Sequence, residues 1–374
     1  MRVTVHGYAF ITSQRQPILS GLAQVSGGGV RLEMGMWYLH SHLVGLRLSY
    51  AFIVSELMTH STNRQASLIV VVGSLNVDLI SRVPALPKRG QTVSASTLIR
   101  QFGGKGANQA LAAARQGARV HLIGCVGADD EGRAYRSYWS SQGLGLRGIH
   151  VLKTQPTGMA FITVEEGGEN QIVVVPGANG KLSRAMVRAE SGHIRAAAVL
   201  LAQLEVPLPT VLEALRIANT AQVRVVFNPS PSTHIFPWGS RRLDVVVANE
   251  LEIRQILGVA PDRVRQRLAS NRQRLIRQSI GSLVITRGAS PTLLLTASTF
   301  MEIPVLKVRP VDTVGAGDAF AGTLAARLAE GNDLPSSVRA ANCAGALATL
   351  KPGAQESIPS RAQTDRCLRK LPTP

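Results

Sequence analysis

The chain has 374 residues, of which 45% are hydrophobic and 17% charged. This composition excludes an intrinsically disordered protein and allows one large or two ordinary domains. The net charge of +18 comes mostly from arginine, and such a balance can indicate a nucleic-acid or acidic-membrane partner. The densest arginine cluster, at 263–277, lacks the interleaved aromatic residues that stack on bases. We therefore expect no nucleic-acid partner and interpret the cluster as the solvated face of a helix, whose apolar side carries Val264, Leu268, Leu275 and Ile276.

Three cysteines, Cys125, Cys343 and Cys367, lie far apart and lack metal-binding spacing. They are typical of a reducing compartment and indicate a cytoplasmic protein. The eight histidines include no HExxH pair, and His40 and His42 are too sparse to predict a metal site.

Residues 1–66 differ from the rest of the chain. Their apolar stretch at 43–54 is too short to span a bilayer and contains Arg47, so no membrane partner is expected. A secretory signal would place its apolar core nearer the start. Two interpretations stay open: a poorly ordered N-terminal extension, or sequence upstream of the native start. We favour Met58 as that start, because the following residues lead directly into the first convincing strand.

That strand is the apolar run at 68–73, which is typical of a strand buried on both faces. Asn76 and Asp78 follow its carboxyl end, where open α/β sheets place ligands. An Asx-turn explains this pair equally well. The glycine-rich stretch at 103–106 then opens a helix at 107–116.

Residues 158–175 alternate between apolar and polar positions around a turn at 165–170, which predicts a hairpin with one buried face. The segment 79–102 alternates too weakly for a core strand. With part of that segment, the hairpin is expected to form a small sheet standing off the main domain.

Apolar strands alternate with helices through the rest of the chain. This pattern predicts a parallel sheet covered by helices on both sides, with the polar strand endings at one rim. The predicted strands are 118–127, 197–204, 223–227, 245–248 and 283–286, and the endings include Glu205, Asn228, Asn249 and Arg287.

The stretch 312–318 holds two glycines around Ala316 and opens an apolar helix. Glycine permits a tight turn, after which the N–H groups of Gly315, Ala316 and Gly317 make an anion site at a helix N-terminus. Asp318 lies in the first helical turn. An acid beside an anion hole suits phosphoryl transfer to a hydroxyl, whose proton it takes. The alternative is that Asp318 merely complements the helix dipole, worth under about 1 kcal/mol.

The stretch 103–106 is not a P-loop, because position 99 is isoleucine and no serine or threonine follows Lys105. Its glycines allow close approach to a substrate, although a plain strand-to-helix turn explains them equally well. Together, five polar residues at predicted strand ends and in this turn form the donor and acceptor set that a polyhydroxylated ligand requires. They are Asn76, Asp78, Lys105, Asn108 and Glu205.

Two motifs carry a resemblance to a known family: Gly-Gly-Lys-Gly-Ala-Asn at 103–108 and Asp-Thr-Val-Gly-Ala-Gly-Asp at 312–318. With them the sequence resembles the PfkB-type (ribokinase-like) carbohydrate kinases over about residues 67–360. The resemblance implies a ribokinase-like three-layer α/β/α sandwich at 67–372. Its central sheet would be mostly parallel, and a small β-sheet lid would come from about 77–103 and 156–176.

The resemblance also implies ATP-dependent phosphorylation of a sugar, with D-ribose favoured, on its primary 5-hydroxyl. Asp318 would be the base, and the amides of Gly315, Ala316 and Gly317 would hold the transferred phosphoryl group. The sugar-binding positions would be Asn76, Asp78, Gly104, Lys105, Asn108 and Glu205, together with Asp318.

The implied cofactors are ATP, Mg²⁺ and a monovalent cation, K⁺. Positions lining the ATP site would be Asn249, Thr286, Arg287, Gly288, Ala289, Ser290, Pro291, Gly317 and Asn342, with Glu252 associated with Mg²⁺ and phosphate. Positions around the cation would be Asp312, Val314, Ala348, Lys351, Gly353 and Ser357. The lid would cover the sugar and mediate a homodimer.

One position departs from the family pattern. Pro291 stands where the nucleotide loop usually has a second glycine, and it fixes φ and removes an N–H. We expect weaker ATP binding with the chemistry retained. Three other functions stay open: a different PfkB-type sugar or nucleoside kinase, a non-catalytic sugar sensor, and nucleic-acid binding through the arginines.

Overall fold

The computed structural model describes residues 67–167, 169–232 and 236–371, together with the backbone of two short strands upstream. These are β1 (Ala23–Ser26) and β2 (Gly29–Leu32), an antiparallel pair. The chain divides into two units, 1–63 and 64–374. The expectations for residues 1–66 and for Met58 otherwise lie outside the described residues and stay predictions.

The described part of the second unit contains thirteen strands in two sheets. Their bounds are β3 (Leu68–Val72), β4 (Asn76–Val83), β5 (Thr97–Gly103), β6 (Arg119–Gly127), β7 (Ile149–Leu152), β8 (Gly158–Glu165), β9 (Asn170–Val175), β10 (Val199–Ala202), β11 (Arg224–Phe227), β12 (Leu243–Ala248), β13 (Ile280–Arg287), β14 (Ser290–Thr296) and β15 (Phe300–Ile303).

The large sheet has the order β15-β14-β13-β12-β11-β10-β3-β6-β7. The strands from β13 to β7 pair in parallel, whereas β14 and β15 add antiparallel at the edge. Parallel strands covered on both faces are apolar throughout, which is why the sequence located most of them. This sheet confirms the mostly parallel α/β prediction.

Helices cover both faces of the large sheet. Ile69 packs in one hydrophobic cluster, with Ala110 and Leu324, and its neighbour Val70 packs in the other, with Val211. The result is the predicted three-layer sandwich. The helices of the described residues are α1 (Lys105–Arg115), α2 (Asp130–Ser141), α3 (Arg184–Ala189), α4 (Ser191–Arg195), α5 (Leu208–Thr220), α6 (Glu252–Leu257), α7 (Leu268–Arg277), α8 (Ala316–Ala329), α9 (Leu334–Ala348) and α10 (Arg361–Leu368), with 3₁₀ turns at Gly177–Lys181, Pro261–Arg263 and Arg265–Arg267.

The small sheet has the order β5-β4-β8-β9. β4 pairs antiparallel with β5 and parallel with β8, so Asn76 lies level with both Gly103 and Gly158. The predicted buried face exists on β8, where Ala160 and Ile162 are buried, but β9 is exposed along its whole length. β9 differs from the expectation because it is the edge strand, and in the described residues its outer side has no neighbouring strand.

The arginine-rich segment differs from its prediction in two respects. Two 3₁₀ turns occupy 261–267, so the helix begins at Leu268. Val264 and Leu275 are buried as expected, but the Ile276 side chain is exposed. None of the helices in the described part of the chain combines the length and apolar composition that crossing a bilayer demands.

Candidate active site

A cleft of about 220 Å³ lies at the carboxyl ends of β11, β12 and β13, beside the N-terminus of α8. Parallel strands end at a common edge, so the polar residues that follow them meet there. The cleft is lined by Lys105, Asn228, Ser230, Val247, Ala248, Asn249, Glu252, Thr286, Thr313, Gly315, Gly317 and Asp318. Seven of these were predicted as site residues: Lys105, Asn249, Glu252, Thr286, Gly315, Gly317 and Asp318.

Asp318 is buried in the first turn of α8. Its Oδ2 accepts a hydrogen bond from the Asn108 side chain, and its Oδ1 accepts one from the Gln109 side chain. Both hydrogen bonds are 2.9 Å long. Both donors belong to α1, which packs so closely on α8 that a Cβ on Gly322 would lie 2.3 Å from Gln109 O. The two glycine-rich motifs, about 210 residues apart, therefore meet at one carboxylate.

Four polar residues that hold this carboxylate in place were not predicted from sequence. Gln203 donates to Gln109 Oε1, Gln109 also donates to Asn228 Oδ1, and Gln355 donates to Asn108 Oδ1. Asn228 was noted as a strand ending, but no role was assigned to it. Gln203 was noted only as part of the segment 203–205 that favours ribose, and Gln109 and Gln355 gave no signal, because a single glutamine belongs to no recognisable motif.

The turn before α8 depends on glycine at two positions for different reasons. Gly315 has φ 76°, and a Cβ there would lie 2.9 Å from Ala354 Cα. Gly317 faces open space, since a Cβ there would have nothing within 4 Å. The Ala316 N–H makes a long 3.3 Å contact with Thr313 O. The helix end thus presents an exposed amide surface beside a buried carboxylate, which is an arrangement suited to a transferring anion.

The predicted sugar-binding residues lie around the start of α1. Gly104, with φ 91°, turns the chain so closely past Asn76 that a Cβ would lie 2.7 Å from its nitrogen. Glu205 accepts hydrogen bonds from the Lys105 N–H and from the Ser74 hydroxyl. Glu205 therefore also caps the N-terminus of α1, where it accepts the first backbone N–H of the helix.

Asn76 and Asp78 are buried next to each other on β4. The Asn76 Oδ1 accepts a 2.8 Å hydrogen bond from Asn179, whose side chain also bonds both backbone groups of Leu75. Asn179 was not predicted, because it comes from a 3₁₀ turn about 100 residues away. These contacts fix Asn76 on the side of Gly158, which has no side chain to obstruct them.

One ammonium group, that of Lys105, lies among several carboxylates in this region. Burial, followed by the nearby charges of Glu205 and Asp318, raises the pKa of Asp78 to about 7. Burial by itself would lower the pKa of Lys105, but Asp318, Glu205 and Glu252 outweigh it, so this pKa lies above its ordinary value. Lys105 therefore stays charged at neutral pH among these carboxylates.

The predicted nucleotide residues divide into two groups. Asn249 and Glu252 line the cleft and cap α6 reciprocally: Asn249 Oδ1 accepts the Glu252 N–H, and Glu252 Oε2 accepts the Asn249 N–H, both over 2.9 Å. Asn342 instead bonds Thr292 and Pro304 O and does not line the cleft. The stretch Thr286–Pro291 is a β-hairpin whose loop is Gly288–Ala289, and of its residues Thr286 lines the cleft.

The residues predicted around a monovalent cation lie where the 312–318 loop meets the segment after α9. Asp312 Oδ1 accepts the Val314 N–H over 3.0 Å, and Asp312 Oδ2 accepts the Gly353 N–H over 2.9 Å. The Ser357 hydroxyl donates to Ala354 O. These contacts attach the glycine loop to the C-terminal segment. Ala348 is buried, and Lys351 is exposed.

Residues 66–361 match the model of the "pfkB family carbohydrate kinase". The chain belongs to this family. It is 35% identical over 298 residues to a ribokinase of Haemophilus influenzae, covering 79% of this chain and 96% of that protein. It is 30% identical to a deoxyribokinase of Salmonella typhi over 80% of this chain and 98% of the relative. The structure of Arabidopsis thaliana ribokinase complexed with ribose and ATP superposes with a TM-score of 0.74, at 26% identity, over 82% of this chain and 100% of that one. Family and fold thus agree with the expectation from the two motifs.

Proposed function

We propose that the protein transfers the γ-phosphoryl group of ATP to the primary 5-hydroxyl of D-ribose, giving ribose 5-phosphate and ADP. Its family is one of carbohydrate kinases, and the relative from Haemophilus influenzae is a ribokinase. One observation carries the proposal: the buried Asp318 carboxylate is held by two amide donors directly beside the open amide surface at Gly317.

In this mechanism Asp318 takes the proton of the 5-hydroxyl as the sugar oxygen attacks the γ-phosphorus. The bond to the β,γ-bridging oxygen breaks, and ADP leaves with that electron pair. The amides of Gly315, Ala316 and Gly317 stabilise the charge on the transferred group. Lys105 lines the same cleft and would add a positive charge beside the transferred group.

The sugar would be held by Asn76, Asp78, Gly104, Lys105, Asn108 and Glu205. Apart from Gly104, which lets the backbone approach the sugar, these residues offer side-chain amide donors, carboxylate acceptors and an ammonium group. Together these groups match the several hydroxyls of a pentose. Burial supports this role, since Asn76, Asp78 and Asn108 are each less than 10% exposed and their hydrogen bonds are sheltered from water. At a pH above about 7, Asp78 is a carboxylate that can accept hydrogen bonds from sugar hydroxyls.

The nucleotide would lie along Asn249, Thr286–Pro291, Gly317 and Asn342. Mg²⁺ fits this side of the cleft, because Glu252 supplies a carboxylate and Mg²⁺ commonly takes one or two carboxylates together with substrate phosphates. When bound, the ion neutralises phosphate charge. Glu252 is held in position by the Asn249 N–H, so its carboxylate is pre-oriented.

K⁺ would be held by Asp312, Val314, Ala348, Lys351, Gly353 and Ser357. The donor set fits a hard cation, because it consists of a carboxylate, a hydroxyl and backbone carbonyls. The exposed Lys351 side chain leaves its carbonyl as the ligand. Asp312 already bonds both Val314 and Gly353, so a cation there would stiffen the loop that carries the anion hole.

The test is ADP release from ATP with a panel of ribose, 2-deoxyribose, hexoses and nucleosides, with and without K⁺. We expect ribose-dependent turnover that Asp318→Asn abolishes while ribose still binds. Asp130→Asn is the matched control, since that carboxylate is exposed. Preference for 2-deoxyribose would change the substrate and keep the mechanism. Ribose binding without turnover on any substrate would make the protein a sugar sensor.

The small sheet would be the lid, and its exposed apolar surface supports a homodimer through it. Seven exposed apolar side chains lie on this sheet: Leu98, Phe161, Val173 and Val175 on one face, and Ile99, Ile172 and Val174 on the other. Contiguous exposed apolar residues indicate an interaction site. Sedimentation should give a dimer that Val173→Glu dissociates, whereas an unaffected dimer would place the interface elsewhere. The cytoplasmic location stays a prediction from cysteine usage.

A further inference from the structure

A second cluster of ligating side chains lies away from the cleft. His121 is near the amino end of β6, whereas the cleft is at the carboxyl ends of the parallel strands. Glu190 and His193 come from the turn between α3 and α4 and from α4 itself. Nothing in the proposed kinase mechanism uses these residues.

The three ligand atoms converge on one point. His121 Nε2 lies 2.9 Å and His193 Nδ1 lies 2.8 Å from the same oxygen, Glu190 Oε2. All three atoms lie within 4.8 Å of one another. The two imidazole rings stack with centroids 3.9 Å apart. Both imidazole nitrogens thus approach the same carboxylate oxygen, which brings three ligand atoms close enough together for one metal ion to bind among them.

We propose that His121, Glu190 and His193 bind a divalent transition-metal ion, with Zn²⁺ as the ion of choice. Two imidazole nitrogens and one carboxylate oxygen form a three-ligand zinc set that leaves the fourth position for water. The site takes Zn²⁺ over Mg²⁺, because Mg²⁺ prefers oxygen ligands and retains its waters.

The geometry requires an adjustment of one ring. Ligands about 2.1 Å from a tetrahedral ion lie about 3.4 Å from one another, so the two contacts to Glu190 must open by roughly half an ångström. The two imidazole planes are only 14° from parallel, so one ring must also rotate out of the stack for both nitrogens to point at the same ion. His193 can turn to allow this, because its side chain is 37% exposed, against 12% for both His121 and Glu190. Gly148 leaves room beside the ligating edge of His121, since a Cβ there would lie 2.8 Å from Nε2.

The charge of the cluster suits a cation. Burial and the neighbouring His193 lower the pKa of His121, although Glu190 acts in the opposite direction. Glu190 contributes one negative charge. Arg147 is the nearby opposing charge, and it is exposed and screened by solvent. Occupancy would fasten α4 to the start of β6.

The experiment titrates the chelator-stripped full-length protein with Zn²⁺ against a competing chromophoric chelator, and separately with Co²⁺ to record its visible spectrum. We expect one equivalent bound, a tetrahedral Co²⁺ spectrum, and a rise in Tm with Zn²⁺. His193→Ala and Glu190→Gln should each weaken binding at least about tenfold and abolish the Tm rise. His193 is partly exposed, so its replacement leaves the core intact.

The matched control is the double variant His40→Ala/His42→Ala, which removes the other closely spaced histidine pair of the chain. It should bind Zn²⁺ as the wild type does. Loss of binding in this control, unchanged binding in His193→Ala, or no binding at equimolar Zn²⁺ would each overturn the proposal. Kinase activity enters none of these readouts, so their outcome is independent of the proposed function.

Discussion

Gln109 Nε2 donates a 2.9 Å hydrogen bond to Asp318 Oδ1, and Gln203 fixes which end of the Gln109 amide faces that carboxylate. Since Gln203 Nε2 donates to Gln109 Oε1 over 2.6 Å, the Gln109 nitrogen is left for Asp318. The Asp318 carboxylate is thereby held by donors on both oxygens, with Asn108 on the other. Gln109 is a positioning residue for the proposed base.

Gln109→Ala should therefore lower kcat with little change in the KM for ribose. Hydrogen bonds to charged groups contribute about 1.5–3 kcal/mol, which corresponds to roughly 10- to 150-fold in rate. Steady-state kinetics of the variant measures this split, and Gln142→Ala, at an exposed position after α2, is the control. A variant with unchanged kcat would show that Asn108 alone orients Asp318.

The buried Asp78 should make stability depend on pH. Its pKa is raised from 3.8 to about 7, with burial as the largest cause. Between these pH values the folded state holds a proton that the unfolded chain has released, so the free energy of unfolding falls as pH rises from about 4 to about 7. Above pH 7 this burial of charge costs roughly 2–4 kcal/mol.

Asp78→Asn removes that titration. Urea denaturation at pH 5 and pH 8 should show a variant that is more stable than the wild type at pH 8, with a much smaller difference at pH 5. Asp130→Asn, whose side chain is 94% exposed, should follow the wild type at both values. A difference between Asp78→Asn and the wild type that is the same at both pH values would contradict the raised pKa.

Gly315→Ala tests the turn before α8 against a matched glycine. Gly315 and Gly143 have nearly equal φ, 76° and 75°, but a Cβ meets Ala354 Cα at 2.9 Å in the first case and nothing within 4 Å in the second. Both alanine variants lose about 1 kcal/mol from the left-handed backbone. Gly315→Ala should lose more, by thermal denaturation, and should also lose activity. Equal losses would show that the Ala354 contact yields easily.

Pro291 lies where the β13–β14 ladder is irregular, between the Ile285 and Arg287 pairings, so its missing N–H leaves the sheet intact. Its effect should fall on the nucleotide. Pro291→Gly restores an N–H to the hairpin and should lower the KM for ATP. Ser290→Gly loosens the same hairpin without adding a donor, and it should leave this KM unchanged. If both variants lower the KM for ATP equally, the flexibility of the hairpin and not the added N–H is responsible.

The sequence predicted six parallel strands of the large sheet because they are covered on both faces and are therefore mostly apolar, but it did not predict β7, β14 and β15 at the two ends of the sheet. The two glycine motifs also predicted the family and the location of the site, since each combines several residue types at fixed spacing. The edge strand β9 misled the prediction, because Ile172 and Val174 alternate as buried residues do but are exposed. An apolar pattern identifies a surface that avoids water without identifying what covers it.

Contacts between distant segments could not be predicted in the same way. The parallel pairing of β4 with β8 joins residues about 80 positions apart, and the donors from Gln109 and Asn179 come from elements that show no polar pattern. The role of a buried side-chain amide depends on the group that it hydrogen-bonds. That partner is distant in sequence, so it can be identified only from the folded structure.

The attachment of the glycine loop to the C-terminal segment has a consequence for synthesis on the ribosome. The last strand of the large sheet ends at Ile303, yet Asp312 is bonded by Gly353, and Asn108 by Gln355. Because a chain emerges amino end first and begins to fold as it emerges, the sheet can assemble while these two contacts are still missing. A nascent chain stalled shortly before residue 353 would then carry a folded sheet with an unfinished cleft, and the cleft would be completed only after Gly353 and Gln355 had emerged.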